Sequence, residues 1–242
     1  MISDILAMVW KEFHELRQGG GRGKYAPFIL VLIYGVFFPL QTGRSWVDSY
    51  QMVGFGLGIS VFMVLSVVAD SIAGERERHT LETLLASRLA DRSILIGKIV
   101  SVVLYGWGLT ILSLIVGLVV VNLSAGGGHV LLYPAGRAIT AVVLTFLLCV
   151  LATGVGVLVS LRSSTVRQAQ QMLMISWMVL IFVAVFGVQL MSPATRLRLE
   201  NRLTNTQVTT LVVGAALILI LLDVIVLAIN AARFQRSRLI LD

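Results

Sequence analysis

The chain is poor in the residues that do covalent chemistry or bind metals. It has one cysteine, Cys149, set in an apolar run, so no internal disulfide is possible and the redox compartment stays open. The three histidines, His14, His79 and His129, are scattered, and no His-Glu-x-x-His string accompanies them, so no metal-ligand spacing arises. A Walker A pattern is missing: Gly97-Lys98 is followed by Ile99, and Arg92 stands where the first glycine belongs. Charge is scarce as well, at 13% of residues against about 25% in a soluble domain.

Apolar residues fill the remainder. They make up 57% of 242 residues, and mean hydropathy is +0.94. This predicts an all-α integral membrane protein, because backbone groups in hydrocarbon need internal partners and no alternating β-barrel pattern is present. Six apolar segments are long enough to suggest spans: about 25–40, 52–72, 94–122, 138–161, 172–191 and 208–232. The first is short, carries Pro27 and Pro39, and needs Gln41 to Trp46 as an outer boundary, a place that suits Trp46. No signal peptide is indicated, since the chain opens on an amphipathic segment.

With the amino terminus inside, the inner segments hold 14 of the 19 Lys and Arg residues and the outer ones hold Arg44, Arg137, Arg196, Arg198 and Arg202. This positive-inside bias predicts a multi-pass protein of the cell membrane with both termini cytoplasmic. The net charge of +7 then belongs to topology, and no nucleic-acid partner is called for. The layout divides into residues 1–18, a 25–232 membrane domain containing a polar segment at 74–92, and a basic tail at 233–242.

Ile2, Ile5, Leu6, Val9, Phe13 and Leu16 recur at helical spacing, with Trp10 at the edge and Asp4, Lys11, Glu12, Glu15 and Arg17 opposite. This predicts a helix lying in the membrane interface, broken by Gly19-Gly20-Gly21. Packing on the rest of the chain is the alternative.

The densest polar block is Gly74-Glu-Arg-Glu-Arg-His-Thr-Leu-Glu-Thr-Leu-Leu-Ala-Ser-Arg88, between the second and third spans. Gly74 is expected to end the span and Glu75 and Glu77 to sit in a new first turn, where negative charge complements the helix dipole. Leu81, Leu84, Leu85 and Leu89 make one face, Arg78 and Glu82 can pair, and Lys98 can snorkel back to the interface.

The block resembles the G-E-[KR]-E-x-x-T-L-E-x-L-L-x-[ST] segment of type-2 ABC transporter permeases. Gly74, Glu75, Arg76, Glu77, Thr80, Leu81, Glu82, Leu84, Leu85 and Ser87 match; His79 stands where glycine is common and Arg88 where proline is common. Trp10-Lys11-Glu12-Phe13 is similar to the string that opens such permeases. The resemblance implies a six-span permease of an exporter with a cytoplasmic coupling helix at the Gly74 block, docked on a separate ATPase subunit. It implies no cofactor in this chain, ATP and Mg on the partner, a second permease copy or homologue, and contact of the first helix with lipid and with the ATPase. A second docking loop at Arg162 to Arg167 is a weaker expectation. Leu123-Ser-Ala-Gly-Gly127 imitates an ATPase signature without a nucleotide fold around it, and Gly54, Gly56 and Gly58, like Gly154 and Gly156, suit close helix packing.

Asp223 lies inside the last span, where a charge costs about 2.5–3.5 kcal/mol on insertion scales. Interhelical hydrogen bonding and a place on the transport path are both open for it. Asp70 is expected to be neutralised by Arg76 or Arg78. The alternative function is a secondary transporter or channel using Asp223; a membrane enzyme is disfavoured because no catalytic cluster is apparent.

Overall fold

The computed structural model describes residues 2–18, 25–80, 86, 89–195 and 208–234. The described residues form helices and turns, with no strand. In chain order they are α1 (Ile2–Gln18), α2 (Pro27–Thr42), α3 (Gln51–Glu77), α4 (Asp91–Ala125), α5 (Ala135–Arg162), α6 (Val166–Leu190) and α7 (Val208–Arg233). Five of these, α3 to α7, are long and apolar enough to cross a membrane; α2 is apolar but shorter. Five spans plus one short helix are therefore what stands of the expected six.

Helix α2 contains a π-helical turn over Ile33–Phe37 where Gly35 passes close to the Ser113 carbonyl and Val116 of α4. After it the chain turns at Gly43 (φ 56°) into a single turn, Ser45–Asp48. Trp46 is not at a lipid boundary as expected. It is buried, stacks on Phe55 and donates from Nε1 to the Tyr133 hydroxyl at 2.8 Å, because that hydroxyl offers its polar edge a partner inside the protein.

α3 packs along α4 and α5, α7 lies on α5, and α1 lies on α4. One apolar core gathers Met8, Val64, Val68, Ile72, Ile94, Val102 and Val157; a second, at the other end, gathers Trp46, Val53, Leu114, Val121 and Leu144. Small residues allow the close crossings. A Cβ on Gly154 would sit 2.6 Å from Val226, and one on Gly156 would collide with Val68; Gly56 faces Thr145, whereas Gly54 faces open space. Cys149 is fully buried, its sulfur turned to the Ser60 carbonyl.

Two expectations change here. Gly74 does not end the span: α3 continues through it to Glu77. A side chain there would meet the Asp70 carboxylate and the Arg78 guanidinium, so glycine clears the path for that pair. The faces of α1 also differ from the expected division. Met8 and Glu12 are buried against α4, while Ile2, Leu6, Trp10 and Phe13 point outward, Trp10 at 69% exposure. Gly97 leaves room for Met8, and the ammonium of Lys98 draws Glu12 inward.

Candidate functional site

The described part of the polar block, residues 74–80, lies where α1, α3, α4 and the α5–α6 turn converge. Its helical part ends in a hydrogen-bonded cap: the amide of His79 donates to the Arg76 carbonyl at 3.1 Å, and that of Thr80 to the Glu75 carbonyl at 2.9 Å. This is the pattern in which a left-handed residue closes a helix. The left-handed residue is His79, at φ 58°, a conformation that costs a side chain about 1–2 kcal/mol relative to glycine.

Glu75 is turned into the protein and only 3% exposed. Its carboxylate accepts from Lys11 Nζ at 2.6 Å and Lys98 Nζ at 3.5 Å, and from the Thr80 hydroxyl. Lys98, 1% exposed, also donates to Glu12 at 2.7 Å and to the Ser71 carbonyl at 2.5 Å. It is thus a buried junction of three helices and does not snorkel. Lys11 reaches Glu15 at 3.0 Å. Burial alone would lower the pKa of Lys11, but its hydrogen bonds to Glu75 and Glu15 prevail and hold it above the ordinary 10.5. Glu12, Glu15 and Glu75 bring carboxylate oxygens within 4.8 Å of one another, a spacing fit for a cation; the ammonium groups of Lys11 and Lys98 supply the positive charge among them.

The other charges tie the block to the α5–α6 turn. Arg76 donates to the carbonyls of Ser163 (2.9 Å) and Leu161 (3.2 Å) at the α5 terminus, where a cation meets the negative end of the helix dipole. Glu77 accepts from the amide of Val166 at 3.0 Å, the first residue of α6. Arg78 makes two 3.2 Å bonds to Asp70, as one of the two expected neutralisers. Glu77, Arg78, His79, Arg162 and Arg167 remain exposed. Residues 76 and 77 of the first expected docking segment therefore stand against the second. Leu81, Glu82, Leu84, Leu85, Ser87 and Arg88 lie outside the described residues, as do most of the loop after span five and the basic tail. Within the first helix, Trp10 stacks on His14 (5.1 Å between ring centroids) on the outward face, next to exposed Phe13.

A family model described as ABC-2 type transporter matches residues 3–196. The chain belongs to the ABC-2 type transporter family. It is a membrane-embedded, multi-pass permease of an ABC transporter, in a family whose membrane components are typically non-catalytic and normally work with an ATP-binding subunit. No curated protein matches the permease.

Asp223 stands apart from this cluster. It is 6% exposed on α7, and neither carboxylate oxygen has a hydrogen-bond partner among the described residues. Interhelical hydrogen bonding, one of the two roles open to Asp223, is made on this helix by Asn230, whose amide donates to the Gly154 carbonyl at 2.9 Å. Sequence reasoning missed Lys98 as a junction and Ser160, which bonds to α3. For Ser160 the available signal was its spacing of four from Gly156, a small-residue pair on one helix face.

Proposed function

We propose that this permease belongs to an exporter and meets its ATPase subunit through the segment 74–92, with Arg162 and Arg167 as the second contact. The ion-paired end then faces the cytoplasm, as the basic-residue bias favours. ATP and Mg reside on the partner, two permease copies or homologues form the path, and the outward stripe of α1 rests in lipid. ATP-driven closure of the ATPases pushes the docked segment, and α3 and α4 tilt with it. The supporting observation is that exposed Glu77, Arg78, His79, Arg162 and Arg167 stand on a base held by buried ion pairs. A rigid base transmits displacement where a solvated loop would absorb it. In this reading Glu75 and Arg76 hold the base, and Glu77, Arg78, Leu81, Glu82, Leu84 and Leu85 meet the partner.

The test is copurification from native membranes with identification of the ATP-hydrolysing companion. Arg162→Glu with Arg167→Glu should lower companion recovery at least tenfold while the permease stays folded. Unchanged recovery, or no companion at all, overturns the docking assignment.

Asp223 favours a second reading, gradient-driven transport through a membrane carboxylate, because a buried acid with no hydrogen-bond partner among the described residues needs a role. Transport that persists without ATP hydrolysis and stops in Asp223→Asn would replace the first reading.

A further inference from the structure

Between Lys98 and Arg137 the chain carries no Asp, Glu, Lys or Arg. That stretch holds most of α4, the loop after it and the start of α5, at the end of the bundle away from the Gly74 block. From Lys98 to Ala125 α4 rises about 40 Å. A bilayer with its headgroups is about 40–45 Å thick. With the Lys98 ion cluster at one membrane face, the loop therefore arrives at the headgroups of the other.

The loop has an inner and an outer side. Leu131 and Tyr133 turn toward the second apolar core, while Val130 and Leu132 point away from it, 82% and 70% exposed. Such alternation is that of an extended chain. The inner side is pinned. Asn122 Oδ1 accepts from the Leu131 amide at 2.7 Å, its side-chain amide donates to the Leu131 carbonyl at 2.9 Å, and Tyr133 reaches the Leu114 carbonyl. At the α4 terminus Arg44 Nε donates to the Ala125 carbonyl at 3.2 Å. A turn then closes from the His129 amide to the Gly126 carbonyl at 3.0 Å, through Gly127 and Gly128 at φ 57° and 86°. Backbone groups bonded within the protein do not depend on bulk water.

The outer side prolongs two apolar stripes. On α4 exposed Leu112, Ile115 and Val119 recur at helical spacing and lead to Leu123, 83% exposed in the last turns. On α5 exposed Ile139, Val142 and Val143 look outward in the same way. In a membrane-embedded chain such outward stripes face lipid, and Val130 and Leu132 sit on the connection between their far ends.

We propose that the α4–α5 loop is a membrane anchor: Leu123, Val130 and Leu132 seat in the far leaflet, at the boundary of headgroups and acyl chains. The occupant is lipid rather than another chain, because a protein interface ends in a polar rim. Here apolar exposure runs from the helix stripes onto the loop, through a stretch free of Asp, Glu, Lys and Arg. The anchor fixes the depth of the far end of α4, while Lys98 ties its near end to α1 and α3. It depends neither on an ATPase companion nor on which way the chain faces.

The test uses the whole permease in vesicles of three parts phosphatidylcholine to one part phosphatidylglycerol, with a trace of phosphatidylcholine bearing a diazirine high on one acyl chain. After illumination, peptide mass spectrometry should find lipid adducts on residues 130–132 within threefold of those on residues 139–143. They should exceed those on the exposed turn at 164–167 at least fivefold. Val130→Ser with Leu132→Ser should cut the loop adducts at least threefold and leave residues 139–143 unchanged, a sign that the fold is intact. Loop adducts no higher than at 164–167, or undiminished in the serine variant, overturn the anchor. In the first of these cases hydroxyl radicals generated in the water identify what replaces it: oxidation of Val130 and Leu132 means solvent, and protection from both reagents means cover by another protein chain.

Discussion

The two ends of the helix bundle are held together by different chemistry. At the end bearing the Gly74 block, Lys98 and Lys11 meet Glu12 and Glu75 in the interior, with Arg76 and Glu77 reaching the α5–α6 turn. At the opposite end the bonds between neighbouring elements mostly involve neutral groups or backbone. Trp46 donates to Tyr133, which donates to the Leu114 carbonyl at 2.9 Å; Asn122 brackets Leu131 through its amide and carbonyl; Arg137 donates to the Val47 carbonyl at 2.6 Å. Burial pushes the Tyr133 phenol up to about 12, so it stays a neutral donor over the physiological range. Removing one member of a buried charge set leaves a charge uncompensated, at about 3–5 kcal/mol, whereas removing one partner of a buried neutral bond leaves a polar group unpaired, at about 1–3 kcal/mol. The charged end is thus firm while complete and fragile when any member is displaced, which suits a place where force arrives.

The largest expected effect breaks this contrast if it fails. Lys98→Met should destabilise the permease by about 3–5 kcal/mol, read as unfolding in detergent, because Glu12 loses its buried partner; adding Glu12→Gln should recover part of the loss. Tyr133→Phe should cost about 1–3 kcal/mol by the same measurement, since Trp46 Nε1 is left unpaired. Equal losses for the two single variants would show that charge gives the inner end no special character. His79→Gly should stabilise by up to about 1 kcal/mol, because glycine adopts the left-handed angle without strain. A loss of stability there would show that the imidazole has a contact worth more than the strain.

The smallest effect concerns pH. Lys11 has a raised pKa in the folded state, so its contribution is fully present below 10.5, the unfolded value, and disappears as pH rises through the folded value. Thermal stability from this pair should therefore hold from pH 7 to 10 and fall only beyond that. Lys11→Met should flatten the alkaline fall, by an amount reduced by the partial exposure of Lys11.

Much of the architecture was legible in the sequence, because membrane spans announce themselves by length and hydropathy alone. The α3 to α7 helices overlap the expected segments, and alternation of spans put the Gly74 block and Arg162–Arg167 on one membrane face, although their adjacency through Arg76 and Glu77 was not read from the sequence. Direction was harder to read. Periodicity assigns Glu12 and Glu75 to polar faces, but it cannot say whether a polar face meets water, a partner or a buried lysine. Lys98 was hidden for the same reason: one cation near the start of a long apolar helix looks like a snorkel until a carboxylate from α1 is brought to it. The substitution of His79 for a common glycine did carry information, since it falls where the backbone is left-handed. Trp46 was misplaced because amphipathic rings suit boundaries and also suit interiors that supply one hydrogen bond.

The burial of Cys149 has a practical consequence. With the molecule's lone thiol sealed between helices and 0% exposed, water-borne maleimides have no native target in the folded state. A single cysteine introduced at exposed His79 or Arg167 becomes the sole handle for a fluorophore or spin label. Paired labels at those two positions turn the separation between the two surface segments into a distance that can be followed during turnover, with the native cysteine left in place.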